Sequence, residues 1–535
     1  MLGRTSTPSA GTDAAGAAAA RGAMPLQCAP GSAMTQSQTV MDDRPLTTED
    51  GLLLGSALLL PWAFGGVEIW AYRIAAFLIV LAGSLALVRR GPAGWGLDSS
   101  ARWLAPAFLL AAWAGLQIVP LPPAVVRLAS PVAYDVRVNA LTSGPPERVL
   151  SRLEEEALER VPEVAGVPAP PDLATAPPPP PAAVCGDGWW PLSVEPTASA
   201  ERLFWYFALL VGFLVVRDRA SDGARRGLYL GALFAGFVAL AAFGVVQDQT
   251  WNGKLFWVRP IRVEGFAFGP FVNSNHFAGL MELAVPAMAG YAWSRGRSVG
   301  RRLALRDARF VLAGAGAAVC FMAALLAASK MATLLMAVGL ATLAVSSVRT
   351  ARARIVMAGA IVVAGAALAG LLAETRLAER VETYLVRSHG SYFASGRLAA
   401  WQAAIDMNRD YPVAGSGFGT FREVFVSYMP AGGHARWAQA HNDYLELLLE
   451  GGPVALALVL WLAFGYARRV RLRSSGSSRR ALSPLRLGLA VGIASLAVHA
   501  LVDFNHQIPA NAWTFVMICA LAAHRPPARD VGADP

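Results

Sequence analysis

Charge is scarce in this sequence. Of 535 residues only 15% are Asp, Glu, Lys or Arg, against 55% hydrophobic, and the mean hydropathy is +0.44. Soluble domains carry about 25% charged residues. So little charge over so long a chain excludes an ordinary soluble enzyme and a disordered scaffold. Cysteine is scarce too. Cys28, Cys185, Cys320 and Cys519 lie far apart with no CxxC pair, which excludes a disulfide framework and a zinc site. Lysine is nearly absent, at Lys254 and Lys330 only, so the net charge of +10 and the pI near 9.8 are owed to arginine. Those arginines sit in short loops between apolar runs, which argues against a nucleic-acid partner. What remains is a polytopic all-α membrane protein in contact with lipid.

Apolar runs of spanning length predict about 12 transmembrane helices, near 52–69, 71–88, 103–119, 202–216, 227–246, 276–294, 310–328, 331–348, 355–372, 444–466, 485–502 and 511–524. Every second connection is short and basic. Arg89, Arg90 and Arg102 fall in the first of these, then Arg217, Arg219, Arg225 and Arg226. Arg295, Arg297, Arg301, Arg302, Arg306 and Arg309 come next, then Arg349, Arg352 and Arg354, and the last group starts at Arg468. The positive-inside rule then puts both termini in the cytoplasm and the long connections 120–201 and 373–443 outside.

Residues 1–47 are rich in Ala, Gly, Ser, Thr and Pro and read as a disordered cytoplasmic tail; 526–535 read as a second one. Residues 48–525 form the membrane domain. Within it, the outer connection 120–201 carries PLPP at 120–123 and a proline run at 177–181, which predict a polyproline spacer. Glu147–Arg160 is the one candidate helix in that connection.

Polar residues gather on the outer face. Arg259, Arg262 and Glu264 precede FGPFVNSNHFAG at 268–279. Ser329-Lys330 marks a span junction. The connection 373–443 holds Ser395-Gly396-Arg397, Trp401, GSGFGTF at 415–421 with Arg422 behind it, and then His441-Asn442. Asp503-Phe504-Asn505-His506 precedes the last run. Polar groups at membrane depth are costly unless paired or functional, so four clusters on one face point to one site. His441 has the chemistry of a general base, although an interfacial capping role is the plain alternative. Asn273 and Asn275, with His276 behind, suit a helix N-cap and equally a site edge. Arg259, Arg262, Lys330, Arg397 and Arg422 form a basin of cations suited to a polyanion, although snorkelling explains each singly. GSGFGTF lacks the Gly-Lys-Ser/Thr ending of a nucleotide loop and reads as a tight turn. Neither a metal-ligand set nor a cofactor motif appears in the outer connections, where Glu68 stands alone.

Three stretches, and a further one at 502–511, resemble the O-antigen ligase family, which includes O-antigen polymerases. FVNSNHFAGLMELAVP (271–286) is similar to the family's Asn-x-Asn segment at the head of a span. GRLAAWQAAIDMNRDYPVAGSGFGTF (396–421) is similar to its Arg…Trp…Pro-x-x-Gly-x-Gly segment. HNDYLELLLEGG (441–452) resembles its His-Asn, nine residues, Gly pattern, and VDFNHQIPAN (502–511) its final outer loop. The resemblance covers about 50–525. It implies a fold like that of the type C glycosyltransferases. The implied reaction is inverting, metal-independent transfer of a glycan from undecaprenyl diphosphate to a lipid, glycan or protein acceptor at the periplasmic face of the bacterial inner membrane. His441 then maps onto the base. Arg262, Lys330, Arg397 and Arg422 would hold the diphosphate, and Asn273, Asn275, His276, Asn442, Asp503 and His506 would support the site.

Two departures stand out. Ser329-Lys330-Met331-Ala332 replaces a common Ser-Arg-Gly-Gly, keeping charge but losing the bidentate fork. Ala455 stands where ligases tend to have Gly, Thr or Tyr, which keeps a polymerase open. A solute carrier of the bicarbonate type is the alternative of another class. It predicts polar residues in mid-membrane, whereas most runs here are Ala, Leu, Val and Gly throughout.

Overall fold

A computed structural model describes residues 46–95, 97, 99–142, 189–261, 267–348, 350–357, 359, 390–429, 437–472 and 482–524. The apolar runs form helices. These are α1 (Thr48–Leu59), α2 (Ile69–Arg90), α3 (Ala105–Ile118), α4 (Pro123–Ala129), α5 (Pro131–Thr142), α6 (Pro196–Arg219) and α7 (Gly223–Gln249). They are followed by α8 (Ser274–Val299), α9 (Ala308–Leu326), α10 (Lys330–Ser347), α11 (Gly390–Asp410), α12 (Asp443–Leu472), α13 (Pro484–His499) and α14 (Pro509–Ala522). A two-stranded ribbon pairs β1 (Lys254–Leu255) antiparallel with β2 (Arg259–Pro260). Among the described residues, α2, α6, α7, α9, α10 and α12 are long and apolar enough to cross a membrane, and α13 and α14 are shorter apolar helices.

Two expectations change. The run 52–69 is not one helix: α1 stops at Leu59, and Pro61 and the left-handed Phe64, Gly65 and Gly66 fold the chain into tight turns. The proline-rich connection does not start as a spacer. Pro123 and Pro131 each open a helix, where a missing N–H costs nothing. Val126 and Ser130 are fully buried there, and Leu121 pairs with Trp190 across the base of the connection. The run 355–372 is helical to residue 357; beyond residue 359 it lies outside the described residues, as do Glu147–Arg160 and residues 1–45 and 525–535.

Small residues set the packing around α8. A Cβ on Gly488 would stand 2.3 Å from the Pro286 carbonyl oxygen, and one on Gly290 would stand 2.6 Å from the Pro484 carbonyl oxygen. Farther along, Gly492 faces the Glu282 and Leu283 backbone. α8 and α13 therefore run antiparallel at backbone contact, the kind of approach that small residues permit between apolar helices. Gly316 meets Met288, and Phe310 meets Gly296, so α9 also runs antiparallel to α8. A turn at 327–329 then starts α10 level with the first turn of α8. The Asp443 N–H donates to the Ala500 carbonyl at 2.9 Å, tying the start of α12 to the end of α13. The starts of α8, α10 and α12 and the end of α13 thus share one end of the bundle.

The other end is arginine-rich. Arg219 and Arg225 bond Asp50, Arg89 and Arg219 bond Glu49, and Arg90 bonds Asp218 at 2.6 Å. Between the ends, Trp513 is fully buried, its ring against Gly212 and its indole N–H donating to Ser56 at 3.1 Å.

Candidate active site

The turn between α13 and α14 carries Asp503, which is 2% exposed. One carboxylate oxygen lies 3.4 Å from His441 Nδ1 and 3.7 Å from His276 Nε2. Its other oxygen faces His499 Nε2 at 3.9 Å. Three histidines from three parts of the chain therefore surround one carboxylate. Burial alone would push the Asp503 carboxyl up; His276 and His441 outweigh it and hold the group well below the usual carboxylate range. Phe504 wedges between the two imidazoles, with ring centroids 4.5 Å from His276 and 4.7 Å from His441, both edge to face.

Local sequence builds this arrangement. Asn273 caps α8, its side chain accepting the Asn275 N–H at 2.9 Å, so His276 is fixed in the first turn. Asn442 caps α12 by accepting the Tyr444 and Leu445 N–H groups at 3.1 and 3.0 Å. His441 precedes it with φ +50°, a left-handed conformation that a non-glycine residue adopts at a cost. Trp437 closes the other side of its ring, 5.4 Å away. The His441 side chain is 24% exposed, so it alone of the Asp503 partners reaches the surface appreciably. His506 bonds Asp443 through its backbone N–H and Nδ1, both at 2.9 Å, and lies beside the trio rather than in it.

A cavity of about 340 Å³ adjoins Phe504 and residues 438–439. Arg202, Arg422, Trp205, Gln439, Glu446 and Glu450 line it with others. Glu446 accepts the Ala440 N–H at 2.8 Å and Glu450 the Phe421 N–H at 2.9 Å. The glycine-rich turn forms this wall. Gly415, Gly417 and Gly419 all have positive φ, and a Cβ on Gly415 would fall 2.3 Å from the Glu450 carbonyl oxygen. Gln117 stitches the turn to the bundle, accepting from the Phe418 N–H at 3.1 Å and donating to the Ala414 carbonyl at 2.6 Å. Its Phe418 and Phe421 amides are thus taken up inside the protein, as in a structural turn.

Of the predicted residues, His276, His441 and Asp503 meet directly, with Asn273, Asn442 and His506 around them. Asn275 is half-buried in the first turn of α8, and Arg422 is exposed at the cavity rim. Lys330 is exposed at the first residue of α10, at the same end of the bundle; among the described residues no hydrogen bond or ion pair joins it to the trio. Arg397 lies in α11, its side chain outside the described set, and Arg262 lies outside the described residues. Arg259 bonds Glu68 at 2.6 Å and sits over the Phe64 ring. It is not a free member of the basin, and Glu68 does not stand alone.

Sequence reasoning missed Glu282, His499 and Arg202. Glu282 is a single acid in an apolar run and His499 a single histidine at the end of another; their isolation in such runs was the available signal. Among the described residues no group of three or more His, Cys, Asp or Glu is arranged to hold a metal ion.

No curated protein matches the chain. Residues 315–460, which contain Lys330, Arg422 and His441, match the family model for O-antigen ligase, a family of glycan-transferring ligases and polymerases. This match supports an O-antigen ligase family protein with enzymatic activity in polysaccharide biosynthesis at a membrane.

Proposed function

We propose that the protein transfers a glycan from undecaprenyl diphosphate to an acceptor hydroxyl at the periplasmic face of the inner membrane, with His441 as general base. The observation that carries this reading is the His441 imidazole, partly exposed, packed on the cavity-lining Phe504 and with a buried carboxylate 3.4 Å behind its Nδ1. A carboxylate on one ring nitrogen favours the tautomer whose other nitrogen accepts a proton, and stabilises the imidazolium that results. In the reaction the acceptor oxygen attacks the anomeric carbon while the bond to the diphosphate breaks. The hydroxyl proton passes to His441, and undecaprenyl diphosphate leaves with its negative charge.

A diphosphate is already a good leaving group and needs cations rather than an acid. Arg422 and Arg202 at the cavity, Lys330 at the same end of the bundle, and Arg262 and Arg397 supply that charge. Asn273 and Asn442 act on the site by capping the helices that carry His276 and the start of α12. His276 flanks Asp503, its Nε2 3.7 Å from the carboxylate, and adds to the field that keeps it ionised.

Deletion of the gene tests this reading. Loss of a ligase leaves long lipid-linked glycan unattached, and complementation by wild type but not by His441→Ala restores attachment. Accumulation of single repeat units instead identifies a polymerase. Unchanged lipid-linked glycan refutes both.

A further inference from the structure

Behind Asp503, away from the cavity, stands a second pair that the reaction does not require. Glu282 lies in the third turn of α8 and is fully buried, and His499, the last residue of α13, is 2% exposed. His499 Nδ1 meets Glu282 Oε1 at 2.6 Å, and its Nε2 faces the Asp503 oxygen that His441 and His276 leave free. The imidazole thus bridges two buried carboxylates. Glu282 Oε2 is buried without a hydrogen-bond partner. A carboxylate held this way in a glycine-lined helix contact is expensive, and a well-packed apolar pair is often at least as stable. Packing alone gives no reason for Glu282.

We propose that Glu282 and His499 are positioning residues: they fix the orientation and the effective charge of Asp503, and through it the proton affinity of the His441 base. This inference rests on the reading of His441 as base. The line runs Glu282, His499, Asp503, His441, from the interior to the rim. Bound to Glu282 through Nδ1, His499 turns Nε2 towards Asp503. A proton on that nitrogen compensates part of the Asp503 charge, leaving less of it to stabilise the His441 imidazolium.

The titratable groups around His499 are Glu282 from α8, Asp503 from the turn after α13, and Asp443 from the start of α12. His276 and His441 lie on the far side of Asp503, and His506 pairs with Asp443. α10 brings only Lys330, at its first residue, and α14 only Cys519. Loss of the dyad therefore exposes His441 to the full Asp503 charge, and His441 holds its proton to higher pH.

The experiment compares wild type with Glu282→Gln, His499→Gln and the double variant, full length and reconstituted in lipid. Each single variant should lower kcat about tenfold through misorientation, leave the donor KM within about twofold, and move the acidic limb of the pH–rate profile up by about half a unit or more. The double variant should do no more than either single one, because the two residues act as a unit. An acidic limb that stays in place while only thermal stability changes overturns the inference and makes the dyad structural. A second readout needs no glycan transfer: the pH dependence of His441 carbethoxylation by diethyl pyrocarbonate, followed by mass spectrometry. It should shift to higher pH in both single variants, and an unshifted profile overturns the inference. Absence of glycan transfer in wild type, with the carbethoxylation shift intact, would instead count against the proposed reaction and leave the coupling standing.

Discussion

Replacing Asp503 by Asn keeps the size of the side chain and removes its charge. The carboxylate stands 3.4 Å from His441 Nδ1 and is almost completely buried. Unit charges about 4 Å apart attract by about 4 kcal/mol at an effective dielectric constant of about 20. The amide retains part of the orientation, so about half of that is lost when His441 takes a proton in the transition state. About 2 kcal/mol corresponds to about a thirtyfold fall in kcat. The assay is turnover of a polyprenyl-diphosphate glycan by reconstituted protein at saturating donor. A variant within about threefold of wild type would refute the reasoning. Stability offers a second check. The folded-state Asp503 carboxyl lies well below its unfolded value of about 3.9, so its stabilisation is fully present above that value. It is lost as pH falls through the folded value. The Asp503 contribution to thermal stability should shrink as pH falls below about 4.

Lys330→Ala should lose about tenfold or more of donor turnover, while Lys330→Arg should match or exceed wild type because a fork grips a diphosphate better than a point charge. Equal activity of all three would remove Lys330 from the diphosphate site. Gly488→Val would place a Cβ 2.3 Å from the Pro286 carbonyl oxygen and should cost about 1–3 kcal/mol or more, read as a lowered Tm in detergent. Gln117→Leu strands the Phe418 N–H and the Ala414 carbonyl in a buried turn, and should cost about 2 kcal/mol or more of stability.

Much of this architecture is legible in the sequence because apolar runs have one inexpensive conformation in lipid, the helix. Hence α2, α7, α9 and α10 fall within a few residues of the runs that announce them. The run 52–69 misleads because Pro61 and the glycines at 65–66 are few against many apolar neighbours, yet decide the backbone. The prolines at 123 and 131 mislead in the opposite sense: proline density resembles a spacer, but proline at the first position starts a helix. At the site, His276, His441 and Asp503 are legible as polar residues at the ends of apolar runs. Glu282 and His499 are not, because their partnership spans 217 residues and depends on the glycine contact between α8 and α13. Arg202 hides for a similar reason. It stands in the first turns of α6 and gains its meaning from the glycine-rich turn more than 200 residues later, where Gly419 lies against its side chain.

The most direct test of the central claim is a single-turnover measurement with purified, vesicle-reconstituted protein and a polyprenyl-diphosphate-linked glycan, comparing wild type with His441→Ala at equal membrane insertion. Wild type should move glycan from the diphosphate onto acceptor, and the variant should lose about 100-fold or more of that rate. Transfer by His441→Ala at the wild-type rate would contradict the claim.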